Sequence, residues 1–157
     1  MKVRDVMTRD VAVARADTPV HEIAGAMDAR DVSGIPVVDE GGRVIGLVTD
    51  LDLIVRNTRL DAPQFFQLLD ARIPLETPGH YRKRLRHMLG TAARDVMSED
   101  VTTIGPDESG ETLAALFVKS RANPIAVVED GRLVGIVSRA DLLRLMREVP
   151  EERTEEP

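Results

Sequence analysis

Arg4-Asp5-Val6-Met7-Thr8 recurs as Arg94-Asp95-Val96-Met97-Ser98, roughly 90 residues further on, and the recurrence continues in order. Asp10-Val11 is matched by Asp100-Val101, and Asp17 by Asp107. Ile35-Pro36-Val37-Val38-Asp39 is matched by Ile125-Ala126-Val127-Val128-Glu129. After a one-residue slip in a turn, Gly42-Arg43-Val44-Ile45-Gly46 parallels Gly131-Arg132-Leu133-Val134-Gly135. Such a duplication restricts the chain to two copies of one small architecture. Each copy has about 55 residues, a size at which a lone core is marginal. The copies are therefore expected to pack their sheets into one core around an approximate twofold axis.

In the first copy Val11 to Ala14 reads as a short strand, and Thr18 as the cap of a helix with Pro19 at its first position. Val20, Ile23, Ala24 and Met27 then fall on one helical face. Ser33-Gly34 breaks the chain, and Ile35 to Val38 and Val44 to Val48 form a hairpin around Glu40-Gly41-Gly42. Asp50 to Arg56 closes the unit as a helix. The second copy gives a strand over Val101 to Ile104 and a helix capped by Asp107 with Leu113, Leu116 and Phe117 as its stripe. A hairpin over Ile125 to Val128 and Leu133 to Val137 follows, then a last helix over Arg139 to Arg147. The fold class is α+β, with tandem β-α-β-β-α units over 1–56 and 92–149. Residues 57–91 form a helical insert and 150–157 a disordered acidic tail.

Within the insert, Pro63 to Leu69 reads as a short amphipathic helix, with Ile73-Pro74-Leu75 and Thr77-Pro78-Gly79 as turns. His80 to Leu89 reads as a basic helix stopped by Gly90. Its Arg82, Lys83, Arg84 and Arg86 leave two readings open: contact with nucleic acid or an acidic partner, or a solvated face whose Leu85, Met88 and Leu89 pack inward.

Composition removes several function classes. Aromatics are 3% with no Trp, so single-strand binding by base stacking has little to work with. A formal charge of -6 argues against a broad nucleic-acid-binding face. With no Cys there is no disulfide, thiolate nucleophile or thiolate metal site. No apolar run is long enough to span a membrane and the N-terminus carries no signal core, so the chain reads as cytoplasmic. His21, His80 and His87 offer no third metal ligand nearby, and no Ser-His-Asp, Gly-x-Ser-x-Gly or phosphate-loop pattern occurs. The expectation is a protein with no enzyme activity, no catalytic cofactor and no metal.

The chemistry-bearing feature is Gly46-Leu47-Val48-Thr49-Asp50-Leu51-Asp52 and its twin Gly135-Ile136-Val137-Ser138-Arg139-Ala140-Asp141. Each is a strand end, a hydroxyl, and an acid three positions on that opens a helix. The first-turn N–H groups suit an anion. The acid, on the same side, can accept hydrogen bonds from a diol. Alternatively the hydroxyls are plain N-caps and the acids complement the helix dipole. Met7 and Met97 are open between core filling and ligand contact, while Asp5 and Asp95 are expected to cap turns.

The doubled Asp-Val-Met-[Thr/Ser], the paired apolar strands and both motif endings resemble the cystathionine β-synthase (CBS) domain pair, or Bateman module, standing alone. The resemblance implies two clefts for an adenosine-containing ligand: AMP, ADP, ATP, S-adenosylmethionine or NAD. The Asp would hold the ribose and the hydroxyl a phosphate. Carried over by position, the first cleft is Ser138, Arg139 and Asp141 with Met7, Val11, Ala12, Val32, Ser33 and Gly34, bordered by Asn123. The second is Thr49, Asp50 and Asp52 with Met97, Val101, Thr102, Ala122, Asn123 and Pro124, bordered by Ser33. Ala126 stands where the first copy has Pro36, and this copy's proline falls earlier, at Pro124.

Arg139 follows Ser138, whereas Asp50 follows Thr49. At about 4 Å and an effective dielectric near 20, a unit charge pair is worth roughly 4 kcal/mol before desolvation and screening. A phosphate is thus expected to favour the Ser138 side, unless both charges point to solvent. The implied function is regulatory ligand sensing, read out by a homodimer or a regulated partner protein. The alternatives are a ligand-independent dimerisation or docking scaffold, and nucleic-acid binding through the basic insert.

Overall fold

A computed structural model describes residues 1–58, 65–68, 71–74 and 92–148. The first repeat contributes α1 (Val3–Val6), α2 (Val20–Arg30), the strands β1 (Gly34–Val38) and β2 (Val44–Thr49), and α3 (Asp50–Thr58). Two short strands follow, β3 (Phe65–Leu68) and β4 (Ala71–Pro74). The second repeat contributes α4 (Ala93–Val96), β5 (Thr103–Ile104), α5 (Gly110–Ser120), β6 (Ile125–Glu129), β7 (Arg132–Val137) and α6 (Arg139–Glu148). Among the described residues no helix is long and apolar enough to cross a membrane.

The two hairpins explain the slip in the repeat. In β6–β7 the pair Glu129↔Arg132 is closed by Asp130 and Gly131, both left-handed (φ 50° and 80°), as a two-residue hairpin turn demands. The β1–β2 loop is longer, and the Asp39 carboxylate fills it by accepting from the Gly41 and Arg43 N–H groups, both at 2.9 Å. Both hairpins shift register at the same place, between Val37 and Val38 and between Val127 and Val128.

Several expected boundaries move. The strand expected over Val11 to Ala14 reduces to one parallel bridge, Ala14↔Val37, and its counterpart to β5, with Ile104↔Val127. Thr18 does not cap α2: its Oγ1 accepts from the Arg15 N–H at 2.8 Å, and Pro19 takes the cap position. Asp107 does not cap α5 either. Ser109, two residues on, accepts from the Thr112 N–H at 3.0 Å, and the Asp107 carboxylate is taken by Arg4. The helix expected over 63–69 is a strand across Phe65–Leu68, paired antiparallel with β4 through Phe66↔Ile73 and Leu68↔Ala71. Adjacent Phe65 and Phe66 favour a pleated strand, and a helix of about seven residues barely passes nucleation. Ile73-Pro74, expected as a turn, ends the partner strand, a position where proline is tolerated. The basic helix over 80–89, with His80 and His87, and the acidic tail lie outside the described residues.

The chain forms two compact bodies that cross the repeat boundary. One, here the Thr49 body, is Ala12–Val101; the other, the Ser138 body, joins Met1–Val11 to the chain from Thr102. Each repeat's leading residues therefore dock on the other repeat's sheet. In the Ser138 body the N–H groups of Val3 and Arg4 donate to the carbonyls of Glu108 and Pro106, both at 2.9 Å. In the Thr49 body Ala93 and Arg94 donate to Thr18 and Ala16, at 2.8 and 2.9 Å. Thr8 pairs with Ile136, and Ser98 with Leu47.

The cores follow the same exchange. Val20, Ile23 and Met27 of α2 pack with Ile35, Val37 and Val48, and Ala93 and Val96 complete the cluster. Leu113 and Phe117 of α5 pack with Ile125, Val127 and Val137, completed by Val3. Burying an aliphatic side chain of this size contributes about 1.5–3 kcal/mol. A one-turn helix such as α1 or α4 has no such resource of its own, which is why it needs a sheet to dock on.

Candidate functional site

Both motifs fold into a closed helix start. Thr49 ends β2 opposite Gly34, and the Asp50 N–H donates to the Ser33 carbonyl at 2.9 Å. The Thr49 N–H donates to Asp52 Oδ2 at 2.9 Å, and the Asp52 N–H donates to Thr49 Oγ1 at 3.2 Å. This reciprocal pair is a capping box. At the second motif Asp141 Oδ2 accepts from both the N–H and the hydroxyl of Ser138, at 2.8 and 3.0 Å. The acids thus do more than complement a dipole, because each ties down the residue that ends its strand. One carboxylate oxygen is committed to this in each motif, and Oδ1 lies outside the box. Asp141 Oδ1 faces the Arg144 guanidinium at 3.5 Å, and the Asp141 side chain is only 11% exposed.

The residues after the hydroxyls, Arg139 and Asp50, are the two expected opposing charges; both are exposed, and each is held at its motif by a hydrogen bond. The Arg139 N–H donates to Asn123 Oδ1 at 3.0 Å and its Nη2 to the Arg121 carbonyl at 3.1 Å. Asp50 folds its carboxylate onto the Leu51 N–H at 2.7 Å.

The methionines occupy matched seats. A Cβ on Gly46 would collide with the Met97 side chain, 2.8 Å from its Cγ. A Cβ on Gly135 would lie 2.6 Å from Met7 Sδ and 3.1 Å from the Thr8 carbonyl oxygen. Each glycine is thus a hole into which the other repeat's methionine fits. Both methionines are half-buried against their body's core. Asp5 and Asp95 cap their turns by accepting from the Lys2 and Ala92 N–H groups, at 2.8 and 3.2 Å.

The structure distributes the expected ligand residues by body. Ala12, Val32, Ser33, Gly34, Thr49, Asp50, Asp52, Met97 and Val101 belong to the Thr49 body. Met7, Val11, Thr102, Ala122, Asn123, Pro124, Ser138, Arg139 and Asp141 belong to the Ser138 body. Within each body, the loop before the central strand is hydrogen-bonded to the motif, through Ser33 in one and Asn123 in the other. Sequence reasoning missed Arg121, Arg144 and the two glycine seats. The left-handed cap at Arg121 (φ 56°) brings it to Arg139, a contact between residues 18 apart that no local pattern signals. A groove of about 440 Å³ between β5 and α5, walled by Ile104, Leu116 and Lys119, is lined by none of the expected ligand residues. Among the described residues no group of three His, Cys, Asp or Glu could hold a metal.

Comparison with known proteins agrees with this architecture. The CBS domain family model matches residues 3–56 and 93–148. The chain is 28% identical to the uncharacterised protein MJ1426 of Methanocaldococcus jannaschii, over 93% of this chain and 91% of that one. Its fold is similar to the crystal structure of CBSX2 in complex with AMP: TM-score 0.71, 22% identity, covering 95% and 98% of the two chains. It is also similar to the CBS domain pair of MJ0100 in complex with 5'-methylthioadenosine and S-adenosyl-L-methionine: TM-score 0.72, 21% identity, covering 94% and 97%. The chain belongs to the CBS domain family and carries two copies of the domain.

Proposed function

We propose that this CBS pair is a regulatory module that binds an adenosine-containing ligand at its two motifs and has no catalytic role. The observation that carries the reading is the motif built twice over: a hydroxyl and an acid at a helix start, tied to the loop before the central strand. Bound adenosine compounds in the two similar structures support the ligand class, which includes AMP, ADP, ATP, S-adenosylmethionine and NAD. In this reading Oδ1 of Asp52 and of Asp141, the oxygen outside each capping contact, takes the ribose hydroxyls, and the hydroxyl of Thr49 or Ser138 faces the phosphate. Binding shifts a population of arrangements, and a second copy or a separate partner reads the shift.

A thermal-shift panel of the five ligands tests the proposal. At a hundredfold excess over Kd a binder stabilises by about 2.7 kcal/mol, which raises Tm by roughly 5–11 °C in a chain of this size. A scaffold reading is favoured by a different observation. Leu51 and Ile54 on α3 are 63% and 56% exposed, and Leu143 and Met146 on α6 are 66% and 73% exposed. Apolar pairs of this kind suit a homodimer contact. A flat panel, with a dimer in sedimentation, would replace ligand sensing with assembly.

A further inference from the structure

Resting on the ligand reading above, we infer that the two motifs are built for ligands of different charge. The Ser138 motif takes an adenosine that bears a phosphate, and the Thr49 motif one that does not. The difference extends well beyond the residue next to the hydroxyl. Three positions around Asp141 carry arginine: Arg121, which ends α5, Arg139, and Arg144 on the next turn of α6. Arg139 Nη2 donates to the Arg121 carbonyl, and Arg144 stands against Asp141 Oδ1. In the repeat alignment their counterparts are Asp31, Asp50 and Val55. The match at the first position is structural as well, since Asp31 and Arg121 both end their helices in the left-handed conformation, at φ 52° and 56°.

Two positions thus reverse sign and the third loses its charge. At the Ser138 motif Arg139 and Arg144 flank the Asp141 carboxylate along α6, whereas Asp50 and Asp52 open α3 and no arginine stands among residues 50–55. Arg30, in the last turn of α2, is the cation next to Asp31 in the chain. A phosphate monoester carries about −1.5 to −2 charges at neutral pH. It gains from charge-assisted forks at the first motif and is repelled at the second. An uncharged nucleoside is indifferent to both fields.

The test uses the full chain with two probes that differ only in the phosphate, AMP and adenosine. Calorimetry gives affinity, and the amide signals of Ser138 and Arg139, or of Thr49 and Asp50, report the motif occupied. AMP is expected to favour the Ser138 motif by about tenfold or more, a difference of about 1.4 kcal/mol. Arg139→Glu should abolish that preference by lowering AMP affinity about tenfold more than adenosine affinity, and Asp50→Arg should bring AMP onto the Thr49 amides. A smaller preference, or equal loss of AMP and adenosine in Arg139→Glu, overturns the inference and leaves the ligand reading intact. Failure of both probes to shift either set of amides sinks the ligand reading itself, and the inference with it.

Discussion

In the Ser138 body the leading segment is held at two levels. Val3 and Arg4 donate backbone bonds to the loop before α5, and the Arg4 side chain forks onto Asp107, with Nε and Nη2 at 2.9 and 2.6 Å from Oδ1. Lys2 adds a longer contact to Asp107 at 3.5 Å. In the Thr49 body Ala93 and Arg94 make the same backbone bonds, but among the described residues neither Arg94 nor Asp17 forms an ion pair. The features common to both bodies are the backbone stitches, the buried aliphatic cluster and the methionine over glycine. Those features specify the fold. The arginine clasp is an addition to one copy on an exposed surface, where ion pairs contribute little.

The core contacts offer the strongest way to break the comparison. Ile23 and Leu113 occupy matching positions and are 1% and 0% exposed. Truncating either to alanine is expected to cost about 2–5 kcal/mol. Hydrogen exchange should then separate the bodies: Leu113→Ala should speed exchange at the Val3 and Arg4 amides, and Ile23→Ala at Ala93 and Arg94. The opposite pattern would return each leader to its own repeat.

The glycine seats give an intermediate effect. Gly135→Ala is expected to cost about 1–3 kcal/mol through overpacking. Gly46→Ala should cost less, because its neighbours are all Met97 side-chain atoms that can move, whereas the Thr8 carbonyl also confronts Gly135. Met7→Ala should recover part of the loss in a double-mutant cycle. Equal losses at the two glycines would remove the backbone from the explanation.

The clasp gives the smallest effect. Arg4, by its hydrogen bond, holds the Asp107 carboxyl below its ordinary value. A carboxyl lowered in the folded state stabilises fully above its unfolded value, near 4. That contribution is lost as pH falls through the lowered folded value. Denaturation profiles of Asp107→Asn and Arg4→Gln should therefore converge with wild type in acid and separate slightly above about pH 4. A separation that persists unchanged in strong acid would assign the effect to packing.

Much of this architecture was legible because duplication repeats the evidence. The apolar hairpins, the stripe of Val20, Ile23 and Met27, and the hydroxyl-acid endings are local patterns, and each appears with its counterpart. The exchange of leaders was not legible in the residue pattern; only the family resemblance paired Met7 with the Ser138 motif and Met97 with the Thr49 motif. Both leaders carry Arg-Asp-Val-Met and both sheets offer a glycine seat, so the sequence contains no preference for one docking over the other. The caps were misplaced as well. Asp107 and Thr18 are good N-caps by type, but the Asp107 carboxylate is drawn to the Arg4 guanidinium of a docked leader, and the Thr18 hydroxyl folds back onto the Arg15 N–H. At β3–β4 a few apolar residues fit either period, and cross-strand pairing decided the outcome. At the motifs the residue types were visible, whereas the Arg121–Arg139 contact depends on a cap conformation that no residue type dictates.

The crossed leaders also bear on how such a protein can be divided. A fragment ending after α3 would hold the first sheet with an empty glycine seat, and a methionine whose own seat had been cut away. The complementary fragment would have the reciprocal defect. Mixed together, the two pieces have what each other lacks, so co-expressed halves are expected to refill both seats. Shortening the amino terminus by eight residues would injure the distant carboxy-terminal sheet before the neighbouring one.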